Sequence, residues 1–415
     1  MLNKHFNGIK VFAVATLLST AIGLAGCNSD DDDDDHYQGY QYYSSEVAYS
    51  AGAIPTEASK VDVMTYHMPY VTGKTEKATA MVMFPKTERP KDGWRVVVWA
   101  HGTTGVGDAC APSKNPIGDN FSLLANSLLK LGYVIVAPDY EGLGEAGIHP
   151  YLNLESEVQS AIYAVKAVKE KYGSQLKGTW MSIGQSQGGH ASLGIAQFAN
   201  DDADYRGAVA TAPASSLGYI ISQIAPQAIA DLETGGKREV AIAVYSELLA
   251  YAAYTTVGIK AYTPTFDYQT LFENRSGLIA ANAEGTTGDN GLCLGDMMTK
   301  YQQDIQAYLI ENPGQNVTDY PALKADFLSN ATVAKFLQDS QPGTQKLNKP
   351  VFVVQGKLDM AVPYQVTQAL VTGLNALGTS PQVKFELVED AGHTQAIVQR
   401  NDEIVAFIQE ILPNS

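Results

Sequence analysis

The chain has 415 residues, with 28 Lys and Arg against 44 Asp and Glu, and a formal net charge of −16 at pH 7. Hydrophobic residues make up 45% and charged residues 17%, which places the chain among folded globular proteins rather than disordered ones. An acidic balance with no cluster of Lys or Arg excludes the phosphate-binding surface that a nucleic-acid partner requires.

The first feature in chain order is an address. Lys4 and Lys10 lead into an apolar run over 11–24, too short for a helix that needs ~20 residues to cross a bilayer. A basic start, a short apolar stretch and small residues before a cleavage point make an export signal over 1–26. Leu24-Ala25-Gly26-Cys27 resembles the lipobox of bacterial lipoproteins, which implies lipid attachment at Cys27 and a membrane partner through that anchor. The alternative is an ordinary cleaved signal with an incidental cysteine. Asn28 stands where an inner-membrane retention signal would carry Asp, which favours the outer membrane, on its periplasmic face or at the cell surface. Residues 27–45 read as an acidic tether, because the six aspartates at 30–35 repel one another and stay extended. Tyr37, Tyr40, Tyr42, Tyr43, Ser44 and Ser45 complete it. A calcium loop would need the spaced ligands and central glycine of an EF-hand, which are missing.

Beyond the tether, segments near 61–66 and 78–84 predict a leading antiparallel hairpin. Arg95-Val96-Val97-Val98-Trp99-Ala100 is a continuous apolar run, the pattern of a strand covered on both faces. Similar strands are expected at 133–137, 179–183, 207–211, 351–354 and 383–387. Amphipathic helices are expected between and after them near 120–131, 155–171, 187–200, 364–377 and 394–412. That alternation means βαβ units and an α/β fold with a mostly parallel central sheet flanked by helices. It stops at Pro213. Residues 214–342 show helical spacing instead, as at Val240, Val244, Leu248, Tyr251 and Ala252, with an irregular stretch at 285–295. They predict a large, mainly helical cap inserted after the sixth strand, between the two core parts 46–213 and 343–415. Two cysteines remain in the exported body, Cys110 and Cys293. They predict one disulfide in an oxidising compartment, with two buried thiols as the alternative, and no Cys/His zinc pattern exists.

The sharpest chemical signal is Gly184-Gln185-Ser186-Gln187-Gly188-Gly189, directly after a strand and opening a helix. Gly184 and Gly188 make room for a tight turn that pushes the Ser186 hydroxyl out beyond the strand, and the Gln187 amide then points at a developing oxyanion. Serine is a poor nucleophile without a base. Of the seven histidines, His393 follows the last strand in Glu389-Asp390-Ala391-Gly392-His393, and is the candidate base. Asp359, just beyond another strand, is the candidate acid that orients it, with Asp139 and Asp390 as competitors. His101-Gly102-Thr103-Thr104-Gly105 supplies the second oxyanion amide, at Thr103, while Gly102 lets substrate approach and His101 fixes the loop.

These residues, in the order Ser186, Asp359, His393, resemble those of the α/β-hydrolase superfamily. More narrowly they are similar to the secretory lipases related to lipase A, through His101-Gly102-Thr103-Thr104-Gly105, Asp108-Ala109-Cys110-Ala111-Pro112-Ser113 and Ala137-Pro138-Asp139-Tyr140-Glu141-Gly142-Leu143-Gly144, and the cap. The resemblance implies hydrolysis of a carboxylester or triacylglycerol through an acyl-enzyme, without a cofactor and with no metal, the cap controlling access. It also implies that Asp139 and Tyr140 line or buttress the pocket. A serine peptidase of the same fold remains a rival, since a peptide terminus could be held by a charged cap residue: Glu233, Arg238, Glu239, Glu247 or Arg275. A non-catalytic binding protein on this scaffold would lack a member of the set, and none is missing.

Overall fold

An antiparallel ribbon leads into the sheet: β1 (Tyr43–Ala48) pairs with β2 (Ala58–Pro69), and β2 with β3 (Thr75–Pro85). The strands that follow are β4 (Trp94–Ala100), β5 (Val134–Pro138), β6 (Leu176–Gln185), β7 (Tyr205–Thr211), β8 (Val351–Gly356) and β9 (Lys384–Val388). In this computed structural model, which describes residues 41–414, the nine strands form one sheet in the order β1-β2-β3-β5-β4-β6-β7-β8-β9. From β5 across to β9 every pairing is parallel, and β3 joins β5 antiparallel, so the sheet is mixed but mostly parallel.

Alternate side chains of β4 go to opposite faces, as a pleated strand requires. Val96 and Val98 enter one core with α2 (Leu154–Tyr172) and α3 (Gln187–Phe198). Val97 and Trp99 enter the other, with α1 (Asp119–Lys130) and the C-terminal helix α12 (Asn401–Ile411). Burial on both faces is why the strand sequence is continuously apolar from Val96 to Ala100 instead of alternating.

The cap lies between β7 and β8. It begins at α4 (Leu217–Tyr219), runs through a π turn at Ile220–Ile224 into α5 (Ala225–Thr234), and continues with α6 (Arg238–Lys260), α7 (Asn274–Glu284), α8 (Leu294–Glu311) and α9 (Ala331–Asp339). Leu249, Ala253 and Val257 of α6 pack with Met297, Tyr301 and Ile305 of α8 in a cluster that also takes in Val106, Tyr151 and Leu152 from the loops of the sheet. A bond between Cys110, in the loop after β4, and Cys293, at the start of α8, ties the cap to the sheet. The core closes with α10 (Tyr364–Ala376), α11 (Gln395–Gln399) and α12.

Three sequence expectations need correction. Residues 43–45, assigned to the tether, belong to β1, because Tyr42 and Tyr43 pack against α2 and their amides donate to the Glu170 carboxylate. The cap consequently follows the seventh strand. The helix expected over 394–412 is two, since Arg400 leaves helical geometry and its guanidinium pairs with Glu386 of β9. Cys27, the signal and the aspartate run lie outside the described residues.

Candidate active site

Ser186 is the hinge between β6 and α3, with φ 58° and ψ −116°, a backbone conformation L-residues seldom adopt. Glycines make that turn possible. A Cβ at Gly184 would stand 2.0 Å from the Gly188 carbonyl oxygen, and one at Gly188 would stand 1.8 Å from that of Ala100. The Ser186 amide donates to the Thr211 carbonyl at 2.9 Å, which fixes the elbow against β7.

His393 arrives on the loop after β9. Its Nε2 accepts from Ser186 Oγ at 2.8 Å, and its Nδ1 donates to Asp359 Oδ2 at 2.8 Å. Asp359 occupies the loop after β8, where Oδ1 accepts from the amides of Ala361 (2.9 Å) and Val362 (2.8 Å) and Oδ2 from Gln355 Nε2 (2.9 Å). The two loops are laced together by Lys357 N to Val388 O and Leu358 N to Ala391 O, both 2.9 Å. Burial by itself lowers the His393 pKa, but the Asp359 carboxylate, with a further contribution from Glu247, outweighs it and the pKa is raised. Asp390 is exposed and plays no part in this chain of bonds.

Gln187 opens α3 and is almost wholly buried, and Thr103 Oγ1 shares a 2.6 Å hydrogen bond with the Tyr151 hydroxyl. The ring nitrogens of His101 face the carbonyls of Gly102 (2.7 Å) and Asp139 (3.1 Å), so this residue shapes the loop. Asp139 and Tyr140 are fully buried behind that loop and line neither cavity beside Ser186, so of the two roles expected for them, lining or buttressing the pocket, the geometry fits the second and not direct substrate binding. Asp139 accepts from Thr79 Oγ1 and the Ser113 amide; burial pushes its carboxyl up to about 6 against those bonds. Tyr140 donates to the His101 carbonyl at 3.0 Å. Both act as buttresses.

A buried polar network under α3 was not foreseen. Gln187 Nε2 donates to Glu157 Oε1 and to His149 Nε2, each at 2.9 Å, while His149 Nδ1 donates to the Glu141 carbonyl. Burial lowers the His149 pKa to about 3, which keeps the ring neutral and able to accept. His190, one turn beyond Ser186, meets Glu157 Oε2 at 2.6 Å and the Ser340 carbonyl at 2.7 Å. One signal could have found Glu157: it falls within the apolar stripe Leu154, Val158, Ala161, Val165 of α2, where a solvated acid does not belong.

No family model matches the chain, and neither does any curated protein. Solved structures do. A protein from Legionella pneumophila superposes with a TM-score of 0.67 at 17% identity, over 89% of this chain and 98% of the other. The rice cell wall degrading esterase LipA from Xanthomonas oryzae gives 0.63 at 18%, over 90% and 98%. Candida antarctica lipase A in its closed state gives 0.62 at 15%, over 88% and 83%. The chain has the α/β-hydrolase fold.

Two cavities meet at Ser186 and Tyr251. One, of about 110 Å³, runs under the cap past Leu248, Ile259, Leu323 and Phe336, and no charged side chain lines it among the described residues. The other, of about 490 Å³, is wider and more polar, and includes Gly102, Thr103, Glu247 and His393. No group of His, Cys, Asp and Glu is placed to hold a metal ion among the described residues.

Proposed function

We propose that the protein is a serine carboxylic-ester hydrolase. Ser186 Oγ attacks the ester carbonyl while His393 Nε2 takes its proton, and Asp359 holds the ring and balances the imidazolium. The amides of Gln187 and Thr103 donate to the tetrahedral oxyanion. As the carbon–oxygen bond to the alcohol breaks, His393 returns the proton to the leaving oxygen. Water then repeats the cycle on the acyl-enzyme.

The observation that carries this reading is the unbroken pair of 2.8 Å contacts from Ser186 through His393 to Asp359, opening on both cavities. Which half of the ester goes where follows from proton delivery. His393 lines the wide cavity and not the narrow one, so the leaving alcohol belongs in the wide one. The acyl chain then takes the narrow cavity, whose lining is predominantly apolar. The rival peptidase reading requires a charged group to hold the substrate's amino terminus on the acyl side, and that lining offers none.

Ser186→Ala should lower turnover of nitrophenyl esters by about 10⁴-fold or more with an unchanged thermal melt. Aminoacyl anilides should be poor substrates beside esters of the same size; the reverse preference would move the protein to the peptidases. The signal and Cys27 further support a lipid-anchored, exported enzyme, on the outer membrane. A chain beginning at Gln41 should leave the membrane fraction, and its retention there would count against the anchor.

A further inference from the structure

The wide cavity contains one carboxylate that the proposed chemistry leaves unused. Of the charged cap residues, Glu233 pairs with Arg238, Arg275 with Asp304 and Glu311, and Glu239 accepts from Gln306. Glu247 of α6 is different. No Lys, Arg or His lies within ion-pair distance of it among the described residues. Its one hydrogen bond among the described residues comes from the Tyr251 hydroxyl, a turn further along the same helix, to Oε1 at 2.6 Å.

Its surroundings make the charge count. Glu247 lines the cavity together with Ser186 and His393, and among the described residues no Lys, Arg or Asp does. His101, also in that lining, has its pKa lowered by burial and is neutral. Trp99 and Phe121, whose rings stack at 4.6 Å, add aromatic surface to the same cavity, and aromatic faces attract cations as a carboxylate does. In a half-enclosed site water screens such a charge far less than at an open surface.

We propose that Glu247 is a specificity-determining residue that selects esters of cationic alcohols, with a quaternary or primary ammonium on the leaving group, over esters whose leaving group is anionic. The assignment rests on the ester-hydrolase reading and deepens it, because only the alcohol half of the substrate shares the cavity with Glu247.

Three butyrate esters test it: that of choline, that of choline's uncharged isostere in which carbon replaces nitrogen, and that of a hydroxy acid bearing a free carboxylate. Their common acyl chain cancels the narrow cavity from the comparison. The unaltered protein should rank them cationic, neutral, anionic by kcat/KM. In Glu247→Gln the cationic-to-neutral ratio should fall about tenfold and the anionic-to-neutral ratio should rise. Glu247→Asp, which keeps the charge, should restore the order, and melting curves of both variants verify folding. Equal kcat/KM for the choline ester and its isostere in the unaltered protein, or a cation preference that survives Glu247→Gln, would overturn the proposal. Failure of the unaltered protein to hydrolyse even the neutral ester would instead remove the ester-hydrolase reading, and this proposal with it.

Discussion

On the proposed mechanism His393 must be uncharged to take a proton from Ser186, so the pKa of its ring would decide where activity begins on the pH scale. Burial pulls that pKa down, while the bonded Asp359 carboxylate and the Glu247 charge raise it above its ordinary ~6.5. On the proposed mechanism the sign follows directly. Below the raised pKa the ring is an imidazolium with no lone pair for the serine proton, so kcat/KM falls as pH drops through a value above that ordinary one. Asp359→Asn removes the largest of the raising influences. Its acid limb should shift to lower pH, and kcat should drop by about 10⁴ because the amide no longer enforces the tautomer with Nδ1 protonated. A pH profile of kcat/KM on a neutral ester checks both, and an acid limb at or below the ordinary imidazole value in the unaltered protein would contradict the geometry. At this scale the sequence was informative because the elbow is a steric necessity: the spacing of Gly184, Ser186 and Gly188 already encodes backbone contacts that exclude a Cβ. It was silent about His149, whose partners come from other elements; Glu157 was marked only by its place in the apolar stripe of α2, and Glu247 only as one of several charged cap residues.

Elements were legible wherever burial is two-sided. The runs at 96–100 and 351–354 are apolar throughout and became central strands β4 and β8. β1 was missed for the opposite reason: it is an edge strand, exposed on alternate residues, next to an aspartate run that makes its surroundings look solvated. Its anchorage lies across the sheet, on α2. Lys166 lies over the Tyr42 ring and Lys171 over that of Tyr43, and Tyr172 Oη donates to Glu46 at 2.7 Å. Exposed cation–π contacts are worth ~0.5–1 kcal/mol each, and the two half-buried tyrosines add to that. A chain starting at Gln41 should therefore melt with the full-length protein. One starting after Ala48 should lose about 2–4 kcal/mol and, with β2 as a bare edge, aggregate more readily. Urea unfolding of the two truncations measures the difference, and identical midpoints would mean that β1 contributes nothing.

On the scale of the whole molecule, a sheet with a core on each face carries a cap cluster, and the candidate site lies in the seam between sheet and cap. The sheet's loops supply Ser186, Asp359 and His393, and the cap supplies most of the narrow cavity and Glu247. The seam must hold its register, and the links across it concentrate beside Thr103. Cys110 and Cys293 join covalently, Leu294 N donates to Thr104 O, and Asp108 N donates to Asp289 O, the latter two at 2.9 Å. Sequence could raise the pairing only as one of two options, since neither cysteine has a local motif; the bond depends on the cap folding back over the loop after β4. The bond closes a loop that holds three strands and most of the cap. In the chain-entropy account, cross-linking a loop of that length constrains the unfolded chain by up to about 5 kcal/mol. Cys110→Ser combined with Cys293→Ser should thus lower unfolding stability by about 2–5 kcal/mol. Both cysteines also line the wide cavity, so a loosened seam should raise KM for esters more than it lowers kcat, the bonds around Ser186 being independent of the disulfide. Denaturation and ester kinetics on the double variant supply the two readings. An unchanged unfolding midpoint would show that the hydrogen bonds alone hold the cap, and a fall confined to kcat would show that the seam positions the catalytic loop rather than the substrate.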